Sequence, residues 1–470
     1  MKLFNTETRT KEELIPAEDQ QIRLYTCGPT VYNYAHIGNF RTYVFEDLLR
    51  RTLKFLGFKV TQAMNITDID DKTIRGALAE KVSLQTFTDR YTGAFFQDLE
   101  TLSIEKVEHY PHATHFIPQM IEIIEGLLTQ GIAYRGADNS VYYAIQKFPS
   151  YGRLSHLHLD DLKTGASERA LADEYDKEHA ADFVLWKAYD PERDGQIFWE
   201  SPFGKGRPGW HIECSAMAMH LLGKTIDIHV GGVDNMFPHH ENEIAQSEAF
   251  THQRFVRYWL HAEHLLVDHK KMSKSLGNFY TLRDLLAKGY TGPQVRYLLL
   301  QTHYRTQLNF TFAGLDAAAK SLERLGDFIL RLRQITSMKN SGEALPHLKK
   351  AHQLFTEALT DDLNISPALA ALFDLVREIN ILCDADKVGK EEAHKTLYLL
   401  EQFDQVLAVL PLKPITEDIP QELQQLLAER EKARAAKDWK TADKSRDQIL
   451  ASGYLIEDTP SGARLKKRSS

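Results

Sequence analysis

Lys271-Met272-Ser273-Lys274-Ser275 puts two cations three residues apart among hydroxyls, with one apolar side chain between them. Such groups suit a mobile loop that grips a polyphosphate. Taken alone, a Lys/Ser run also reads as a solvated turn. A second constellation, His36-Ile37-Gly38-Asn39, lies near the start of the chain. Gly38 has no side chain, so an adenine or ribose can approach the backbone closely. His36 and Asn39 face the same way at a helix start, where both can donate to phosphate oxygens and the helix N-terminus favours an anion. In isolation, His36 reads first as an ordinary helix cap. The third set is Pro238-His239-His240-Glu241-Asn242-Glu243. His239 and Glu243 are four residues apart, on one helical face, and can share a metal ion. Cys27 and Cys214 supply two thiols. Cys, Cys, His and Glu make a tetrahedral Zn²⁺ set if they converge, whereas separately each cysteine reads as a small buried apolar residue.

The elements that must position these groups can be read from periodicity. Ile22 to Cys27 alternates as a strand and breaks at Gly28-Pro29. Residues Thr42 to Leu56 carry a helical apolar stripe, stopped by Gly57, and Lys59 to Asn65 reads as a second strand. Strand, helix, strand predicts a βαβ unit of a doubly wound parallel sheet, an α/β, Rossmann-like fold. Ligands bind at the carboxyl ends of such strands, and the loop after Cys27 is one such end. From Ile132 to Trp199 the pattern turns irregular and polar, with Ser140 to Ile145 strand-like and Asp173 to Asp182 highly charged. This region reads as an insertion, after which Asp227 to Val230 rejoins the sheet. Beyond Asp316, segments Ala317–Ile335, His347–Leu359, Ala368–Cys383 and Glu392–Leu410 carry bundle-like apolar spacing. Pro411, Pro414 and Pro420 mark a linker. A small charged module follows, with a helix from Glu422 to Ala451 and then short strands.

Composition narrows the class. The 470 residues suffice for roughly three domains. Hydrophobic residues make up 43% and charged residues 26%, as in an ordinary soluble protein. No apolar run approaches the ~18 residues that span a membrane. The polar N-terminus and three scattered cysteines predict a reducing, cytoplasmic setting without membrane association. A net charge of −8 argues against broad non-specific nucleic-acid binding. Residues 425–470, however, hold 11 Lys+Arg against 7 Asp+Glu, a net of +4. A basic tail on an acidic chain suits local RNA contact, or simply solubility.

The pentapeptide at 271–275 and the His36–Asn39 motif match the two ATP signatures of class I aminoacyl-tRNA synthetases. The usual last residue of the first signature is His, and here it is Asn39, which donates but cannot become cationic. Tyr25-Thr26-Cys27-Gly28-Pro29-Thr30-Val31-Tyr32, Asn65 to Lys72, Arg207 to Met217 and Phe237 to Glu243 together resemble the cysteinyl-tRNA synthetase family of bacterial type. So does Ala435 to Trp439. The resemblance spans nearly the whole chain. It implies ATP over Gly38, phosphates met by His36, Asn39, Lys271 and Lys274, and the ribose held by Asp234. It also implies one Zn²⁺ per chain on Cys27, Cys214, His239 and Glu243, with Thr67, Trp210 and His229 lining a cysteine pocket. Bare sequence reads those last three as a strand-end Thr, a core Trp and a core His.

The implied order is a catalytic fold over 1–131 and 200–250, split by a connective subdomain at 132–199. A stem-contact fold with the 271–275 loop at 251–315, a tRNA-binding bundle at 316–410 and a basic anticodon module at 421–470 follow. Implied partners are Mg²⁺-ATP, L-cysteine and tRNA(Cys), and a monomer is expected. Zinc prefers a soft thiolate to a serine hydroxyl, so no editing site is required. Two other readings share features. One is a relative that couples cysteine to an amino-sugar and lacks the anticodon module. The other is a non-catalytic, zinc-stabilised RNA binder, which leaves both ATP motifs unexplained.

Overall fold

The computed structural model describes residues 1–157, 182–273, 276–412, 420–459 and 462–467. A hairpin of β1 (Lys2–Asn5) and β2 (Thr10–Glu13) precedes β3 (Gln21–Thr26), α1 (Ile37–Phe55) and β4 (Lys59–Met64). Next come α2 (Asp71–Glu80), α3 (Leu84–Thr101) and α4 (Ile117–Thr129). An inserted sheet follows: β5 (Ala133–Arg135), β6 (Val141–Tyr143), β7 (Phe183–Ala188), the short helix α5 (Pro191–Asp194) and β8 (Gly206–Pro208). The chain returns through α6 (Trp210–Leu222), β9 (Ile226–Gly232), α7 (Glu241–Thr251) and β10 (Val256–Ala262).

The central sheet has the order β10-β9-β3-β4, every pair parallel. Leu24, Tyr25 and Thr26 of β3 face Ile228, His229 and Val230 of β9 on one side, and Gln62, Ala63 and Met64 of β4 on the other. All of β9 is buried, as expected for a strand covered on both faces. The chain leaves β3 toward β4 on one side, while β9 lies on the other. The carboxyl ends of β3 and β9 therefore flank a topological switch point, where open α/β sheets bind ligands. α1 starts at the His36 cap and ends where Gly57 takes φ +90°; there Gly57 N–H and Phe58 N–H donate to Lys54 and Leu53 carbonyls.

The inserted sheet is antiparallel, in the order β5-β6-β7-β8. Its last strand lies beyond residue 199, because Gly206 to Pro208 pairs with Trp186 to Ala188 after a turn at Ser201–Gly204. The charged stretch from Asp173 falls outside the described residues as far as 181.

β11 (Leu265–Val267), β12 (Lys270–Lys271), α8 (Leu282–Ala287), α9 (Gly292–Leu300) and β13 (Leu308–Phe310) form the next region. The helices α10 (Phe312–Gln334), α11 (Ala344–Thr360), α12 (Ile365–Asp384) and α13 (Lys390–Leu407) share a core with α1. The C-terminal module differs from the single helix expected over 422–451. It is α14 (Gln421–Ala435) and α15 (Trp439–Ala451), followed by the hairpin of β14 (Tyr454–Thr459) and β15 (Gly462–Lys467). Lys437 takes φ +58°, and Asp438 caps α15 by accepting from Thr441 N–H at 3.2 Å and Thr441 Oγ1 at 2.6 Å. Those two residues break a stretch whose composition is helical throughout.

Arg296, fully buried on α9, ties three regions together. It donates to the carbonyls of Leu407 (2.7 Å) and Leu102 (3.0 Å) and to Asp47 of α1 (2.5 Å). Arg296→Ala removes the donor from two buried carbonyls and leaves Asp47 with Arg51 (2.7 Å) and the Glu105 N–H (2.9 Å). It should lower unfolding free energy by about 2–4 kcal/mol, measured in denaturant. Asp98 on α3 is almost buried, and one of its oxygens has no hydrogen-bond partner among the described residues. Burial pushes its carboxyl up to about 6, against the pull of Arg283. A raised folded-state value means stability is lost as pH climbs from about 4 to about 6. Asp98→Asn should therefore gain on the native chain between pH 4 and pH 7, by about 1–2 kcal/mol after solvent screening. Denaturant unfolding at the two pH values tests this, and a pH-independent difference would rule out the raised carboxyl.

Candidate metal and nucleotide site

Cys27 follows β3 directly, and its N–H donates to Val230 of β9 at 3.1 Å. Cys214 lies one turn into α6, which begins immediately after the inserted strand β8. His239 lies within a kinked turn, Met236–His240, in which Phe237 has extended backbone angles; Glu243 sits in the first turn of α7. These three places converge. Donor atoms of Cys27, Cys214, His239 and Glu243 all lie within 4.8 Å of one another, and all four residues are buried. The carboxyl of Glu243 is fully buried, and its Oε1 makes no hydrogen bond among the described residues, although it lies 3.1 Å from His239 Nε2.

The electrostatics follow from that burial. Desolvation holds the Glu243 carboxyl well above its usual range and the His239 imidazole well below. The Cys27 thiol is raised by its hydrogen bond with Cys214 and then by burial. Two sulfurs, a neutral imidazole and an under-satisfied carboxyl are a donor set that a zinc ion fits, and a dication is the natural countercharge for it.

A second grouping, Cys27, His229, His240 and Glu243, meets the same distance condition. Its two imidazoles are better described as supports. His229 Nε2 lies 2.9 Å from Glu243 Oε2, and His240 Nε2 lies 3.2 Å from Cys27 Sγ. His240 Nδ1 continues to His261 Nε2 at 2.8 Å, and His261 Nδ1 to Thr6 Oγ1 at 2.8 Å. His211 Nδ1 backs His239 Nδ1 at 2.9 Å. Burial brings His229 and His261 down to about 3, so both are neutral at physiological pH. Ligand donors held from behind in this way keep their orientation. Nothing in the local sequence marked His211 or His261. His240 was visible only as the neighbour of His239.

The expected pocket residues lie around this cluster. Trp210 stacks on His239, centroids 4.1 Å apart and 15° between planes. Thr67 Oγ1 donates to Glu213, the neighbour of Cys214, at 3.2 Å and accepts from Asn65 at 3.0 Å. Gly28 N–H donates to Asn65 Oδ1 at 2.9 Å. A Cβ on Gly28 would sit 1.8 Å from the Asn65 carbonyl oxygen, so only glycine lets the two strand ends meet. Asp234 is exposed, in the turn after β9.

The two phosphate-type motifs also meet. His36 caps α1: Asn39 N–H donates to its Nδ1 at 3.2 Å, and His36 N–H donates to Asn39 Oδ1 at 3.1 Å. A Cβ on Gly38 would lie 3.0 Å from Met272 Cε, so the apolar residue of the 271–275 run packs over the glycine. The Ile37 N–H bonds the Tyr280 carbonyl at 2.9 Å, and the rings of His36 and Phe279 are 5.2 Å apart. Lys271 is exposed at the end of β12; Asn278 closes the loop by accepting from Ser273 N–H (2.8 Å) and donating to the Lys271 carbonyl (3.2 Å). Lys274 and Ser275 lie outside the described residues.

Comparison with known proteins gives three family matches along the chain. Residues 13–320 match the catalytic domain of class I (C) tRNA synthetases, 354–411 the DALR domain and 416–464 the anticodon-binding domain of cysteinyl-tRNA ligase. A cysteine–tRNA ligase of Protochlamydia amoebophila is 63% identical over 468 residues, covering 100% of this chain and 98% of that protein. One from Chlamydia muridarum is 59% identical, covering 99% of each. In fold the chain is similar to Mycobacterium tuberculosis methionyl-tRNA synthetase in complex with methionyl-adenylate, with a TM-score of 0.58 at 14% identity. That likeness covers 83% of this chain and 88% of that one.

Gly28→Ala must push the ends of β3 and β4 apart. Overpacking against backbone should lower unfolding free energy by about 2–3 kcal/mol, measured in denaturant. A variant as stable as the native chain would show that this junction yields easily.

Proposed function

The chain belongs to the cysteinyl-tRNA ligase family of class I tRNA synthetases, and from that premise we infer that it charges tRNA(Cys) with L-cysteine in two steps at the switch point. In the first, the cysteine carboxylate attacks the α-phosphorus of ATP. A new O–P bond forms, the α–β bridging bond breaks, and pyrophosphate leaves. In the second, a terminal ribose hydroxyl of the tRNA attacks the carbonyl of the adenylate and releases AMP. The observation that carries the reading is that one chain segment leaving β3 supplies both Cys27 of the Cys27, Cys214, His239 and Glu243 cluster and the His36–Asn39 cap over which Met272 packs.

Positioning and electrostatics supply most of the rate in such a displacement. The cap on α1 uses Nδ1 of His36 and Oδ1 of Asn39. Phosphate oxygens would be met by the opposite edge of each group, Nε2 and Nδ2. Gly38 leaves the backbone open to the nucleotide, Lys271 and Lys274 bring positive charge to the phosphates, and Asp234 accepts from the ribose hydroxyls. Mg²⁺ accompanies ATP. Cys27, Cys214, His239 and Glu243 would hold one Zn²⁺, which supplies a preference for soft sulfur that a serine hydroxyl cannot satisfy. Thr67, Trp210 and His229 enclose the amino acid. The match of residues 416–464 to an anticodon-binding domain favours tRNA over an amino-sugar acceptor.

Purified protein should contain one zinc per chain and catalyse cysteine-dependent exchange of pyrophosphate into ATP far above the rate with serine. Cys214→Ala should abolish bound zinc and lower exchange more than 100-fold. Lys274→Ala should lower the exchange rate by about 10²–10³ without changing zinc content. Active enzyme purified without zinc would sink the metal reading, and exchange without tRNA charging would favour the amino-sugar acceptor.

A further inference from the structure

Glu241 lies between His239 and Glu243, yet its carboxylate belongs to a different contact. Fully buried, it accepts four hydrogen bonds from the loop that follows the inserted strand β6. Gly152 N–H reaches Oε1 at 2.9 Å, while Leu154 N–H (3.1 Å), Ser155 N–H (2.9 Å) and Ser155 Oγ (2.9 Å) reach Oε2. Neighbouring residues of α7 read the same loop. Tyr151 donates to Asn242, and Arg153 donates to Glu248 at 2.8 Å. Tyr143 of β6 donates to the Ala245 carbonyl at 3.0 Å. Gly152 takes φ +90°, which turns the loop so that its N–H groups gather on one carboxylate.

The inserted region thus grips both halves of the donor set. Its strand β8 runs directly into α6, where Gly209 N–H bonds the Leu185 carbonyl of β7 at 2.9 Å, and α6 carries Cys214. Its loop holds α7, which carries Glu243, through Glu241. Charge-assisted bonds to a buried carboxylate are the stronger class, so this contact fixes the rotation of the first turn of α7.

Resting on the zinc reading above, we infer that Glu241 is a positioning residue for the metal centre, through which the inserted region braces His239 and Glu243. Glu241→Gln preserves size but turns an amide donor toward donors. Ser155→Ala removes one of the four bonds from the loop side and leaves α7 unchanged. With the native chain shown to hold one zinc, release of the metal to a chromophoric chelator should be about 10–100-fold faster in Glu241→Gln. In Ser155→Ala it should be faster by a few fold, at a melting temperature near native. The KM for cysteine should rise in Glu241→Gln and recover in excess zinc, while the KM for ATP stays unchanged. A purely structural staple would lower the melting temperature without that zinc-dependent recovery.

Native-rate release in both folded variants overturns the inference and leaves the function above intact. Should Glu241→Gln fail to fold, Ser155→Ala decides by its release rate alone. Native protein without zinc rejects the parent reading and this one together.

Discussion

Burial of the Glu243 carboxyl is the constraint around which the centre of the molecule is arranged. A carboxyl removed from water has few ways to be tolerated: a proton, hydrogen-bond donors or a cation. Here its surroundings are two imidazoles, from His229 and His239, and two thiols. Each belongs to a different element, and each element is fixed by the parallel sheet. Cys27 comes off β3, His229 lies within β9, Cys214 follows the insertion, and His239 precedes α7. The donor set therefore exists only when the sheet is formed and the insertion is folded against it. The chain of imidazoles from His240 through His261 to Thr6 carries the same arrangement outward to the N-terminal hairpin.

Much of this was legible in the sequence, for identifiable reasons. Strands β3 and β4 and helix α1 announce themselves through local alternation and a 3.6-residue stripe, and Gly57 marks the turn between them. The bundle helices fall within a few residues of their apolar spacing: Ala317–Ile335 was read where α10 runs Phe312–Gln334. The four cysteine, histidine and glutamate donors could be grouped from residue type and the spacing of His239 and Glu243, but only resemblance assigned them, since alone a buried cysteine looks like any other small apolar residue. What stayed hidden depends on contacts between distant residues. Four loop donors on Glu241, the support of Cys27 by His240 and the packing of Met272 over Gly38 leave no periodic trace. The break between α14 and α15 was legible in principle, because Asp438 and Thr441 spell a cap, but strong helical composition on both sides masked it.

The meeting of the two phosphate-type motifs is organised differently from the buried cluster of thiols, imidazole and carboxyl. It is half exposed and built from backbone caps and loops, with Met272 packed over Gly38, the Ile37 N–H on the Tyr280 carbonyl and the His36 ring against Phe279. The Cys27, Cys214, His239 and Glu243 cluster is buried and cross-braced. Such a division suits a reaction in which one substrate arrives as a bulky polyanion and departs in pieces, while the other must be inspected by a rigid surface.

Asp362 has a bearing on how the molecule is made. Its carboxylate takes the Phe4 N–H at 2.8 Å, the Tyr304 hydroxyl at 2.6 Å and the Arg305 guanidinium at 2.7 Å, while its own N–H bonds the Lys2 carbonyl at 2.9 Å. The hairpin of β1 and β2 thus meets a partner 358 residues further along. At ribosomal speeds of ~5–20 residues per second, that partner follows the hairpin by roughly 20–70 s. Through that interval, longer than ordinary strand pairing needs, the hairpin must dwell beside the nascent chain without its final latch. The seam between the first strands and the helical bundle is accordingly among the last to close during synthesis.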